Sequence, residues 1–142
     1  MKFLRETSGG VCAPLGFKAG GIHCGIRKNK DKKDFALIVS DVPCAAAGVF
    51  TQNLVKGAPV LVTKRNIANG VAQAVICNSG NANTCNNDGE EVAEKMCALV
   101  TKVAGINSSD VIVASTGVIG LPLDITPMAN AIGELYSSLS LN

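Results

Sequence analysis

Apolar positions recur along this chain with two different periods. In the first part they form short runs between turn residues: Gly16 to Ile26, then Phe35-Ala36-Leu37-Ile38-Val39, then Ala46-Ala47-Gly48-Val49-Phe50-Thr51. β-Branched and aromatic residues between Gly, Asp and Lys breakers predict strands, so a sheet begins the chain. Pro59 to Thr63 reads as another strand, Lys64 to Asn69 as a short helix closed by Gly70, and Ala72 to Cys77 as a buried strand that enters the polar loop Asn78-Ser79-Gly80-Asn81-Ala82-Asn83. The period then changes. Val92, Met96, Leu99, Val100 and Val103 share one helical face, with Asp88 as N-cap, Glu91 completing a capping box and Gly105 as the C-terminal stop. Asp110 to Ser115 reads as a buried strand opening into the loop Thr116-Gly117-Val118-Ile119-Gly120. A last helix is expected from Thr126 as cap and Pro127 at its first position, with Met128, Ile132, Leu135 and Leu139 on its apolar face, running to the end.

Strands first, then strand, loop, helix, strand, loop, helix, indicate an α/β domain, or an α+β layered sandwich. The length of 142 residues fits a single domain over 1–142. Function is expected at the loops that leave strand ends, 78 to 87 and 116 to 120.

Composition sharpens this picture. Hydrophobic residues make up 47% and charged residues 17%, so the chain hides surface either in its own core or against the rest of a larger assembly. The basic run Arg27-Lys28-Asn29-Lys30-Asp31-Lys32-Lys33 reads as a solvated loop, because a nucleic-acid face would add stacking aromatics and the chain has no Trp, one Tyr and four Phe. The six cysteines, at 12, 24, 44, 77, 85 and 97, include no CxxC pair, which argues against a zinc knuckle or a redox motif. Lys2, Arg5 and Glu6 break any signal-peptide stretch, and no apolar run reaches the length of a membrane span. Reduced thiols and a cytoplasmic location are expected.

The candidate chemistry is concentrated at Thr116-Gly117. A hydroxyl beside a glycine amide, where a strand ends, suits a pocket for the oxyanion of an acyl-transfer intermediate. The same residues also suit a plain strand-to-loop turn. The asparagines of the 78–83 loop read as a scaffold that satisfies loop backbone. His23 and Cys24, as neighbours on a strand, would face opposite ways and not form a dyad. Asp88, Glu90 and Glu91 read as a helix start. No Walker loop or GxGxxG follows a strand, no metal-ligand cluster stands out, and no nucleophile–base pair is evident.

Taken together, Gly16-Phe17-Lys18-Ala19-Gly20-Gly21-Ile22, Ala47-Gly48-Val49-Phe50-Thr51-Gln52-Asn53, Ala58-Pro59-Val60, Asn78 to Asn83 and Ala114-Ser115-Thr116-Gly117-Val118-Ile119-Gly120 resemble the N-terminal part of the ornithine acetyltransferase family, also called glutamate N-acetyltransferase, of arginine biosynthesis. The resemblance implies a self-processing precursor that cuts itself into an α and a β chain and frees an N-terminal threonine on the β chain as nucleophile. That threonine takes the acetyl group from N-acetylornithine and passes it to glutamate, a scheme that needs no metal or organic cofactor, although acetyl-CoA serves some members as co-substrate. It implies an oxyanion hole at Thr116 and Gly117, and a layered α/β fold in which α and β chains share sheets and αβ pairs associate further into a heterotetramer. On this resemblance the chain is an incomplete α-chain part, ending before the cleavage site and the nucleophile, and no substrate-binding residue is assigned. The other expectation is a catalytically silent assembly partner of a β chain. Thr84-Cys85-Asn86-Asn87-Asp88 replaces the family's more usual Ala-Cys-Thr-Gly run, with Gly89 retained.

Overall fold

The computed structural model describes residues 6–141. Met1 to Arg5, on which the signal-peptide argument partly stands, and the terminal Asn142 lie outside the described residues. Four strands, β1 (Phe17–Ile22), β2 (Phe35–Ala45), β3 (Val71–Asn81) and β4 (Val111–Val118), make one sheet in the order β1-β2-β3-β4. The first two pairings are antiparallel and β3–β4 is parallel. A parallel pair needs a crossover, which helix α2 (Gly89–Ala104) supplies. Helices α1 (Ala58–Asn66) and α3 (Thr126–Ser137) complete the fold, a mixed α/β architecture.

Side-chain alternation divides the sheet into two faces. Phe35, Leu37, Val39, Ala74, Ile76, Val111 and Val113 point to the helices and form one buried cluster with Val62 of α1, Val92, Met96 and Val100 of α2 and Met128 and Leu135 of α3. The alternate positions, among them Phe17, Ile38, Val75 and Ile112, line an open apolar groove of about 270 Å³ on the other face. β4 is an edge strand, and α1 covers part of its edge. The Thr63 hydroxyl donates to the Val113 carbonyl (2.8 Å) and accepts the Val113 amide (3.0 Å), while Asn66 Nδ2 donates to the Val111 carbonyl (2.8 Å). Two side chains thus stand in for a missing strand and satisfy backbone groups that would otherwise be orphaned.

Several elements differ from the sequence expectations. The predicted strand at Pro59 to Thr63 is the body of α1: Gly57 is extended at the N-cap (φ −63°, ψ 144°), and Pro59 sits in the first turn, where its fixed φ and missing amide suit a helix. Lys64 to Asn66 belong to the same helix, Ile67–Asn69 form a 3-10 turn, and Gly70 closes it at φ +77°. The predicted strand at Ala46 to Thr51 is absent. Instead β2 runs on to Ala45 through a register shift between Val39 and Cys44, and beyond the Ala46 amide bond to Gly70 the chain has no strand to pair with, leaving Val49 and Leu54 100% and 96% exposed. β1 stops at Ile22 rather than Ile26, because the next residues wrap around the Asp34 side chain.

The helix ends also differ in detail. Asp88 occupies the N-cap of α2 but makes no side-chain cap, and Glu91 pairs with Lys95 (2.6 Å) rather than closing a capping box. Gly105 does end the helix, in the left-handed conformation (φ +69°). Ile125, not Thr126, occupies the N-cap of α3, and Asp124 just before it accepts the Thr126 amide (2.8 Å). That helix ends at Ser137 instead of continuing, and Ser140 returns to exchange backbone bonds with Ala19 on the edge of β1 (3.0 Å each way). Among the described residues no helix is long and apolar enough to cross a membrane.

Candidate functional site

The two loops singled out by the sequence begin as strand. β3 continues through Asn78-Ser79-Gly80-Asn81, and β4 continues through Thr116-Gly117-Val118, so Ser79 pairs with Thr116 and Gly80 with Gly117 in parallel register. At that crossing both backbones leave ordinary strand geometry, with φ +110° at Gly80 and +136° at Gly117. A Cβ added at Gly117 would lie 2.3 Å from the Gly80 carbonyl carbon and 2.6 Å from the Asn81 nitrogen. Only glycine permits this approach, and the register shifts immediately afterwards.

The direction of the β4 backbone follows from its bonds. Val111 and Val113 turn their polar groups outward to Asn66 and Thr63, whereas the Val118 carbonyl turns inward to accept the Ala82 amide (2.8 Å). The two-residue alternation of a strand therefore turns the Gly117 amide outward, beyond Val113, the last β4 residue that α1 side chains bond among the described residues. The Thr116 side chain is exposed on the open face of the sheet, where Ala36, Cys77, Ser79 and Ala114 line the same cleft of about 230 Å³. Two donors from consecutive residues thus stand at the exposed end of an edge strand.

The asparagines at and beyond the end of β3 serve the backbone. Asn81 Nδ2 donates to the carbonyls of Leu121 (3.0 Å) and Pro122 (3.1 Å), and its Oδ1 accepts the Asn83 amide (2.9 Å). Buried Asn83, left-handed at φ +46°, donates to the Gly89 carbonyl (2.8 Å) at the start of α2. Within the segment that departs from the usual run, Cys85 is also left-handed (φ +63°), and the Thr84 carbonyl accepts the Gly120 amide (3.0 Å). The loop after β3 is thereby tied to the loop after Thr116-Gly117.

Sequence reasoning missed Asp34. Its carboxylate, 2% exposed, accepts the backbone amides of Cys24 (2.6 Å), Arg27 (2.8 Å) and Gly25 (3.3 Å), and meets His23 Nδ1 at 3.1 Å. Burial works to raise its pKa, but the Arg27 and Cys24 amides, the Cys24 thiol and His23 outweigh it and hold the carboxyl below its ordinary value. His23 and Cys24 therefore do meet at one carboxylate, since they lie beyond the end of β1 and strand alternation does not separate them. They form no nucleophilic dyad, because burial, and then Asp34, push the thiol up to about 12. Burial likewise raises Cys77, the thiol in the cleft, and takes Cys97 to about 11.

Replacing Asp34 with Asn would set an amide NH₂ against backbone donors, and is expected to destabilise the fold by about 3 kcal/mol. Because the folded-state pKa is depressed, the contribution of Asp34 is present in full above its unfolded value of about 3.9 and is lost as pH falls through the lowered one. Urea unfolding followed from pH 7 down to pH 3 checks this: the stability gap between parent and variant should narrow on the acid side.

Arg27 was expected in a solvated basic loop. Lys28 to Lys33 are exposed, but Arg27 is half-buried, and its Nε donates to Ser79 Oγ (2.9 Å).

These features define a layered α/β segment with a hydroxyl on the open face and an outward-turned amide at the end of a glycine-pinched parallel strand pair. The chain belongs to the ArgJ family, whose model matches residues 18–142. It is 47% identical over 135 residues to the arginine biosynthesis bifunctional protein ArgJ of Symbiobacterium thermophilum, which covers 94% of this chain and 34% of that protein. It is also 47% identical over 132 residues to the ArgJ of Gloeobacter violaceus, covering 92% and 32%. The chain spans about a third of the length of the curated relatives it matches. Among solved structures it is similar to the arginine biosynthesis bifunctional protein ArgJ of Bacillus halodurans (TM-score 0.82, 40% identity, 87% of this chain and 65% of that one). It is equally similar to ornithine acetyltransferase of Mycobacterium tuberculosis complexed with ornithine (TM-score 0.82, 36% identity, 93% and 72%).

Proposed function

We propose that this chain is the α-chain portion of an acyltransferase of arginine biosynthesis, which moves the acetyl group from N-acetylornithine to glutamate through a threonine acetyl-enzyme. The Thr116 hydroxyl and the Gly117 amide are its oxyanion hole, and the nucleophile lies outside this chain, at the start of a β chain cut from the same precursor. The observation that carries this reading is the alternation of β4 bonds, outward at Val111 and Val113 and inward at Val118, which turns the Gly117 amide to the strand's edge beside the exposed Thr116 hydroxyl. Family membership supports it, as does the ornithine bound in the mycobacterial relative.

Attack of the threonine oxygen on the acetyl carbonyl breaks the π bond and places the electron pair on the carbonyl oxygen. The two donors hold that oxyanion until the C–N bond breaks and ornithine leaves, its amine taking the proton that the threonine hydroxyl gave up on attack. The glutamate amine then attacks the threonine ester through a second tetrahedral intermediate in the same hole; the ester C–O bond breaks, the threonine oxygen takes up the proton that the amine gives up, and N-acetylglutamate leaves. Donors fixed before reaction are worth about 2.7–4 kcal/mol each in a site that excludes water. No metal or organic cofactor is assigned, acetyl-CoA is a further candidate donor, and αβ pairs are proposed to associate in the cytoplasm.

Intact mass measurement with N-terminal sequencing of native material tests this directly. A second chain beginning with Thr is expected to accompany this one. A single uncleaved chain that nevertheless transfers acetyl groups would overturn the reading.

A further inference from the structure

We propose that Arg27 is the carboxylate-recognition residue of this site and takes the α-carboxylate of an N-acyl-α-amino acid on the free edge of its guanidinium. The proposal rests on the acyl-transfer reading above and adds the substrate group that orients the acyl carbonyl.

Arg27 is built in place. Its backbone amide is held by the buried Asp34 carboxylate (2.8 Å), which also fixes Cys24 and Gly25, so the loop that presents it is clamped from within. Its stem runs over Gly80, where an added Cβ would come within 3.0 Å of Arg27 Cγ. Its Nε donates to Ser79 Oγ (2.9 Å), and the Asp34 carbonyl accepts the Ser79 amide (2.8 Å), tying loop and strand together. The two Nη atoms have no partner among the described residues.

The charge and the spacing both suit a carboxylate. Asp34, the acid in the cleft lining, turns its carboxylate into the loop amides, and Lys33 stands at the same cleft, so two cations, Lys33 and Arg27, accompany one buried carboxylate here. A planar guanidinium with a free edge matches a carboxylate in a bidentate way. Ser79 is the register partner of Thr116, which places the Arg27 anchor one strand spacing, about 4.8 Å, from the oxyanion donor. In an N-acyl-α-amino acid the acyl carbon, nitrogen, Cα and carboxylate carbon are consecutive atoms, so oxyanion and carboxylate are separated by a comparable span. The guanidinium would hold the carboxylate over β3 while the acyl oxygen sits at β4.

The test uses the complete enzyme bearing this segment, with N-acetylornithine and its α-carboxamide as alternative donors. Arg27→Gln should lower kcat/KM for the carboxylate about 10–100-fold, chiefly through KM, and leave the already poor carboxamide unchanged. Arg27→Lys should fall between. Equal losses for both donors would mark a structural role and overturn the proposal, as would no loss for either. Independently of any variant, an unaltered enzyme that uses carboxylate and carboxamide equally well overturns it. These failures leave acetyl transfer by the unaltered enzyme intact, whereas absence of transfer with either donor overturns the underlying reading and the proposal with it.

Discussion

Gly117→Ala is expected to destabilise the protein by about 4 kcal/mol and, in the complete enzyme, to abolish the proposed acetyl transfer. A residue with a side chain at φ +136° is strained by about 1–3 kcal/mol before any contact is considered. The new methyl would also press on backbone atoms of Gly80 and Asn81 at 2.3–2.6 Å, and backbone in a paired strand cannot swing aside as a flexible side chain can. Overpacking of that kind costs about another 1–3 kcal/mol. The relief available is to part β3 from β4, which disorganises Thr116 and the Gly117 amide together. Against a total stability of about 5–15 kcal/mol the loss is large, and urea unfolding of the variant should show a much lower midpoint with an unchanged slope.

Thr116→Ala is expected to behave in the opposite way, leaving the fold intact while lowering kcat about 10²–10³-fold. Thr116 is exposed, and no core contact depends on its hydroxyl. In the proposed oxyanion hole the hydroxyl gains importance only when the acyl oxygen becomes an anion, so its removal should act on the transition state and barely on KM. Thr116→Ser, which keeps the donor, should recover most of the rate. Steady-state kinetics of the complete enzyme with parent-like thermal unfolding of each variant separate this from a folding defect. Unchanged turnover would instead fit a chain that assembles with a β chain without entering the chemistry.

Some of this was legible in the sequence because single residues decide it. Gly105 and Gly70 stop their helices because the turn needs a left-handed residue, and the face of α2 follows from spacing alone. Thr116-Gly117 stood out as a hydroxyl and a glycine at the end of an apolar run. The matching pair Ser79-Gly80 carries the same pattern, and reading Asn78-Ser79-Gly80 against Ser115-Thr116-Gly117 as two strand ends would have exposed the register.

Other features depend on tertiary partners. The run Pro59 to Thr63 has strand composition, yet it is helical because Thr63 and Asn66 complete the edge of β4, a partner some fifty residues away in sequence for Thr63. Ala46 to Thr51 has the same composition and finds no strand to pair with. Asp34 sits beside a basic run and looks like a surface residue, and only the folded loop shows it buried among backbone donors. Arg27 belongs to that run by composition and leaves it because Asp34 holds its amide.

The single-turnover rate of acetyl-enzyme formation in the complete enzyme, compared between the parent and Thr116→Ala, isolates the step that the proposed oxyanion donors serve. Acetylation is expected to be slowed about 10²–10³-fold, with donor binding changed by no more than a few-fold. Acetylation at the parental rate in a folded Thr116→Ala enzyme would contradict that role.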